Sequence, residues 1–171
     1  MATYTAQDFV NVFTKAGVNP SILPFLVAQV AHETGNFKSK LLRDHNNGSG
    51  ITWINNPKVQ KNATKGRPLP EDPQYFYAKF DTLQDWAIDH VRVLNRKSKP
   101  IQATNVDDFV SRLKANGYFT APIEIYKKAV AKFYNKYKNI LPSPGAAAAG
   151  GTTAIIIALI AFFLISKKRK K

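Results

Sequence analysis

Pro57, Pro68, Pro70 and Pro73 fall within one stretch, residues 41–79, and they set the outline of everything around it. Proline lacks an amide hydrogen and its ring collides with the preceding turn, so no long helix can cross this segment. The stretch is also rich in Asn, Gly and charge, which suits a loop-rich lobe with room for a short hairpin. On both sides of it, apolar residues recur at helical spacing. Residues 5–16 place Phe9, Val12, Phe13 and Ala16 on one face and stop at Gly17. Asn19, Pro20 and Ser21 supply a second start, and residues 22–34 continue with few polar interruptions to Gly35. Beyond the lobe, residues 81–94 read as a helix with Asp81 as cap, Gln84 at the capping-box position, and Leu83, Ala87, Val91 and Leu94 facing inward. Residues 106–116 follow, with Asp107 and Asp108 in the first turn, where the helix dipole favours acids. A last helix starts near Pro122 and stripes Tyr126, Val130, Phe133 and Tyr137. The expected fold class is mainly α: one domain over residues 1–141 with a small loop-rich or β lobe.

The far C-terminus is a different material. No charged residue occurs between Pro142 and Ser166, residues 154–165 are continuously apolar, and the chain closes on Lys167, Lys168, Arg169, Lys170 and Lys171. Residues 142–153 read as a flexible linker, 154–166 as the core of a C-terminal transmembrane helix, and 167–171 as a basic tail on the inner face. Counted from Ala146, the span 146–166 is long enough, because a helix rising ~1.5 Å per residue needs about 20 residues to cross ~30 Å of hydrocarbon. The alternative is a buried core helix. Residues 1–7 lack a basic stretch leading into an apolar core, so no secretory signal peptide is expected.

The chain carries 25 basic residues against 11 acidic, a net charge of +14, and the terminal five supply only part of that excess. Such a potential draws polyanions, whether nucleic acid, anionic lipid or acidic wall polymer, without choosing among them. Nucleic acid is not the expected partner, because no zinc-finger or RNA-binding signature accompanies the charge. Cysteine is absent, which removes disulfides, thiol nucleophiles and thiolate metal sites. His32 and Glu33 begin a zinc-protease pair, but position 36 is Asn36, and His45 and His90 have no partner at ligand spacing. No metal or cofactor is expected.

Glu33 is the one acid in an otherwise apolar helix, with Leu26, Val30 and Phe37 at neighbouring positions. Desolvation and the partial negative charge of a helix C-terminus would both push its pKa up. An acid that keeps its proton near neutral pH is what glycosidic cleavage needs, since the leaving oxygen must be protonated as the bond breaks. The competing reading is a structural carboxylate paired with Arg or Lys.

The letters around it narrow the choice. Ala28 to Gly35, AQVAHETG, resembles the AQ-x-x-x-E-[ST]-G helix end of the bacterial glucosaminidases of glycoside hydrolase family 73. Asn46, Asn47, Gly48, Ser49, Gly50 and Ile51 resemble that family's N-N-x-x-G-I segment. The run YAKFDTLQDWAIDHVRVL from Tyr77 resembles its D-H helix, and Asn116, Gly117, Tyr118, Thr120 and Pro122 its G-Y-A-T-D-P turn. The four motifs occur in the family's order over about residues 5–138. The resemblance implies a lysozyme-like α+β fold and a peptidoglycan hydrolase with Glu33 as general acid and Tyr118 as active-site tyrosine; a turn aromatic packed on the core is the alternative for Tyr118. Gln29, Asn47, Gly50, Ile51, Trp53 and Asp72 are expected to line the substrate, with Gly48 and Gly50 letting backbone approach the sugar and Trp53 either stacking on a ring or serving the core. The family's second acid lies on a mobile lobe, where this chain offers Glu71 or Asp72. Glu71 is preferred, to activate water or stabilise the transition state, against a plain surface charge.

Lytic transglycosylases also use one glutamate in an E-[ST]-G context. The family 19 chitinases share the H-E-T trio but need a second glutamate soon after the first, and none occurs between Glu33 and Glu71. A non-catalytic, membrane-tethered protein that binds wall or nucleic acid leaves the context of Glu33 unexplained. A lytic domain with a C-terminal anchor and no signal peptide suggests a virion protein of a membrane-containing phage, with a bacterial inner-membrane protein as the alternative.

Overall fold

The computed structural model describes residues 3–140. Six helices and one hairpin occur there: α1 (Ala6–Lys15), α2 (Leu23–Glu33), α3 (Lys40–His45), β1 (Ala63–Pro68), β2 (Phe76–Phe80), α4 (Leu83–Leu94), α5 (Val106–Ala115) and α6 (Ile123–Tyr137). The centre is α2, which buries Leu23 and every residue from Phe25 to Ala31. A helix apolar on all sides has no solvent face to offer and must be surrounded. Helix α6 packs on it most extensively and α1 less so, with α4 lying on α1 and α5 on α6.

Local chemistry sets the ends. Thr5 caps α1 in a reciprocal box with Asp8, whose carboxylate accepts from the Thr5 amide at 2.7 Å. The start at Asn19 is a short 3-10 turn, Pro20–Ile22, that runs into α2. At α4 the cap is Thr82, accepting from the Asp85 amide at 3.1 Å, rather than the expected pair of Asp81 and Gln84. The inner face of α4 is also shifted: Trp86, Ala87, His90 and Leu94 are buried, whereas Leu83 and Val91 are half-exposed.

The lobe contains more order than a loop. Its first residues form α3, capped by Ser39 and closed by Asn46 in the left-handed region, with Leu41 and Leu42 inward. Strands β1 and β2 pair antiparallel, with Ala63 opposite Phe80, Thr64 opposite Lys79 and Lys65 opposite Ala78 before an irregularity near Pro68. On its other edge β2 receives a short extended segment: the Ala78 amide donates to Ile51 O and the Trp53 amide to Phe76 O, both at 2.8 Å. The linker, the expected membrane span 146–166 and the basic tail lie outside the described residues. Among those described, no helix is long and apolar enough to cross a membrane.

Candidate active site

Glu33 is the last residue of α2, and the chain turns away from it through an unusual path. Gly35, Asn36 and Phe37 are consecutive left-handed residues, with φ of 57°, 63° and 69°. Such values cost little for glycine or asparagine but strain phenylalanine, so the turn must be held from outside. Thr34 does part of this: its hydroxyl donates to Val30 O at 2.6 Å and accepts from the Phe37 amide at 2.9 Å. Helix α6 does the rest, with the Tyr137 hydroxyl donating to Asn36 Oδ1 at 2.7 Å.

The carboxyl group itself is met by Tyr126, whose hydroxyl donates to Glu33 Oε1 at 2.6 Å. No Lys or Arg forms an ion pair with it among the described residues. Glu33 keeps an exposed residue surface, yet protein atoms crowd its carboxyl end. Burial raises its pKa above the ordinary carboxylate range, opposed by the Tyr126 hydrogen bond and by His32. Tyr126 is buried, stacked on Phe119 with ring centroids 3.9 Å apart and set edge-on to His32 at 4.9 Å. Burial and the charge of Glu33 hold its phenol far above its usual pKa, so it stays a donor.

Tyr118, on the turn between α5 and α6, donates to Ser49 O at 3.3 Å. Its phenol pKa is also raised, by burial and then by the charge of Glu33, which places it in the same electrostatic neighbourhood. Ser49 is anchored from behind. Its hydroxyl accepts from Trp86 Nε1 at 3.1 Å and lies 3.0 Å from His90 Nδ1. Burial holds the pKa of His90 down to about 3, which keeps that ring neutral.

The other residues singled out in the sequence divide by location. Gln29 is fully buried, near enough to the Tyr126 hydroxyl to temper its raised pKa, and neither amide atom has a well-formed hydrogen bond. It offers no surface to a ligand. Asn47 is buried too: its amide donates to Ile51 O and Ala78 O at 2.9 Å, and its carbonyl accepts from the Ile51 amide at 3.0 Å. It ties the 47–51 loop to β2. Ile51 belongs to the core, and a Cβ on Gly48 would lie 2.9 Å from the Trp86 ring, so that glycine answers to packing. Gly50 is exposed with φ of 67°, and Trp53 is half-buried. Glu71 and Asp72 sit in the turn between β1 and β2. Asp72 accepts weakly from the Gln74 amides at 3.4 and 3.3 Å, a turn-closing role. Glu71 is exposed, with no hydrogen bond or ion pair to any described residue.

Periodicity hid Tyr126, because a ring on an apolar stripe reads as core. The available signal was the pairing of needs: a tyrosine hydroxyl inside a core and a carboxyl on an apolar helix each require a partner. Two concavities elsewhere, about 480 Å³ beside Asn19 and Gln102 and about 220 Å³ beside Asp85 and Arg92, contain neither Glu33 nor either tyrosine.

A crowded acid at the end of the central helix, in a mainly helical domain that carries one small hairpin, fits a lysozyme-like glycosidase. The chain belongs to the glucosaminidase family, described as mannosyl-glycoprotein endo-beta-N-acetylglucosaminidase, whose model matches residues 6–139, and it is a glycoside hydrolase. Two solved structures share the fold. A chain of a type VI secretion system effector–immunity complex from Pseudomonas protegens has a TM-score of 0.51 at 14% identity, covering 78% of this chain and 98% of that one. A peptidoglycan hydrolase from Sphingomonas sp. A1 has a TM-score of 0.51 at 20% identity, covering 86% and 97%. No curated sequence matches.

Proposed function

We propose that the protein cuts the glycan strand of peptidoglycan as an endo-β-N-acetylglucosaminidase, with Glu33 as the general acid. The observation that carries this is the carboxyl of Glu33, whose pKa is raised by the protein around it and which is met by a tyrosine hydroxyl instead of being neutralised by a cation. Family membership and the fold shared with a peptidoglycan hydrolase support the substrate class. Tyr118 borders the same space, where it would contact the sugar at the scissile bond, and Glu71 would activate water from the hairpin. Glu33→Gln in the full chain should abolish clearing of peptidoglycan, and the unmodified chain should release reducing glucosamine ends by mass spectrometry. Clearing by the variant sinks the assignment.

One observation favours a second reading. Among the described residues Glu33 has no carboxylate partner, and Glu71 makes no hydrogen bond or ion pair. Single-acid chemistry is the habit of lytic transglycosylases, and anhydro-muramic ends would identify it. We also infer that residues 146–166 tether the domain to a membrane, as in a phage virion with an internal membrane. Recovery of the full chain in the soluble fraction after expression would refute the tether.

A further inference from the structure

The lobe carries charge that the helical body does not neutralise. Residues 46–80 hold Lys58, Lys61, Lys65, Arg67 and Lys79 against Glu71 and Asp72. The ion pairs among the described residues, Arg92 with Asp89, Arg112 with Asp108 and Lys127 with Asp107, all lie in the helices. Each lobe cation is exposed and has no carboxylate partner there.

One of these cations is placed. Strand alternation puts Phe76, Ala78 and Phe80 on one sheet face, joined by Ile51 and Trp53 from one side and by Lys65, opposite Ala78, from the other. The inner half of this face, Ile51, Ala78 and Phe80, is core. The outer half is Trp53, Phe76 and Lys65. Lys65 Nζ lies 3.7 Å from the Phe76 ring centroid and 6.0 Å from that of Trp53. The ring quadrupole holds the ammonium group there, and its three N–H donors have no acceptor among the described residues. An indole beside a fixed ammonium fits a ligand that pairs an apolar sugar face with an anion. The segment bearing Trp53 begins four residues earlier at Ser49, whose carbonyl holds Tyr118, so the platform lies along the chain from the proposed site.

We propose that Trp53, Phe76 and Lys65 form a glycan subsite that reads a carboxylate on the substrate, the indole packing on a sugar ring and Lys65 pairing with the acid group or acidic peptide attached to it. The inference rests on the peptidoglycan reading and deepens it. Muramyl glycan supplies that carboxylate, whereas a neutral chitin-type or mannose-type glycan leaves Lys65 without a partner.

The test is sedimentation of the full chain, in detergent and in a Glu33→Gln background that prevents cutting, with insoluble peptidoglycan before and after amidation of its carboxylates. Lys65→Glu should weaken binding to the native polymer about tenfold, the loss falling away on the amidated polymer, and Lys65→Arg should retain binding. Lys15→Glu, the same charge change on exposed α1, controls for the overall field and should shift neither. Equal losses on both polymers, no loss, or an equal loss from Lys15→Glu overturns the subsite. Clearing by the unmodified chain is scored alongside. Clearing with Lys65→Glu binding as tightly as its parent sinks the subsite alone, and charge-selective binding without clearing sinks the hydrolase reading alone.

Discussion

The helical wall and the hairpin lobe treat charge in opposite ways. On the wall, Glu33 has a tyrosine at 2.6 Å, a second tyrosine nearby, and a strained turn pinned by α6 behind it. On the lobe, Lys65, Arg67 and Glu71 stand in solvent with no ion-pair partner among the described residues. A buried neighbourhood can shift a pKa and fix a direction, which proton donation requires. An exposed one leaves charges free to meet a ligand. The division of labour this suggests is an acid made by burial on one side and recognition or water activation by solvated groups on the other.

The largest contrast should come from removing one carboxylate on each side. Glu33→Gln is expected to lower turnover by ~10³-fold and Glu71→Gln by ~10²-fold, read from initial rates on purified peptidoglycan. Their stability signatures should differ. The folded state binds the Glu33 proton more tightly than the unfolded chain does, so its contribution is complete at acid pH and is lost as pH rises through the raised value. Glu33→Gln should therefore raise Tm at neutral pH, with the gain vanishing in acid, whereas Glu71→Gln, at an exposed residue with no hydrogen bond or ion pair among the described residues, should leave Tm at neutral pH unchanged. If Glu71→Gln retains full activity, the lobe supplies no second acid and single-acid chemistry gains.

The two regions also differed in how far their residues announced them. Helices α1 and α6 were legible through apolar periodicity, α2 through its nearly unbroken apolar run and α5 through the acids in its first turn. Helix α3 was not, since six residues with two adjacent leucines carry no period, and four prolines dominated the reading of its surroundings. The cap of α4 slipped by one residue because Asp81 with Gln84 and Thr82 with Asp85 satisfy the same spacing rule. Its inner face slipped because His90, buried against Trp86, counts as polar in any periodicity. Within the site, Glu33 stood out through its apolar helix and Tyr118 through a motif. Gln29 and Asn47 stood out as letters, but both side chains are buried: Asn47 binds backbone across a gap that sequence spacing does not reveal, and Gln29 lies within the core with no well-formed hydrogen bond.

A middle-sized effect probes the loop that joins the regions. Gly48 lies against the fully buried ring of Trp86, with no room for a methyl group, so Gly48→Ala should cost about 1–3 kcal/mol and lower Tm by several degrees. Because Trp86 also holds Ser49, activity should fall together with stability. A variant as stable as its parent would show that the ring can yield and that the loop is less firmly held than its contacts indicate.

Tyr126→Phe is the smallest change and the sharpest probe of the wall. It preserves the stack on Phe119 and the edge contact with His32 while removing one hydroxyl, a net loss of about 1 kcal/mol in stability. The lost hydrogen bond favours the ionised carboxylate and so restrains a pKa that burial drives upward. Without it, Glu33 should hold its proton to higher pH, and the alkaline limb of the kcat/KM profile should move up while the rate at the optimum falls modestly through looser orientation. A limb that moves down would mean that the tyrosine stabilises the protonated acid, reversing the role assigned to burial. An unmoved limb would mean that the group titrating in catalysis is not Glu33, and the contrast between a crowded acid and a solvated lobe would lose its chemical basis.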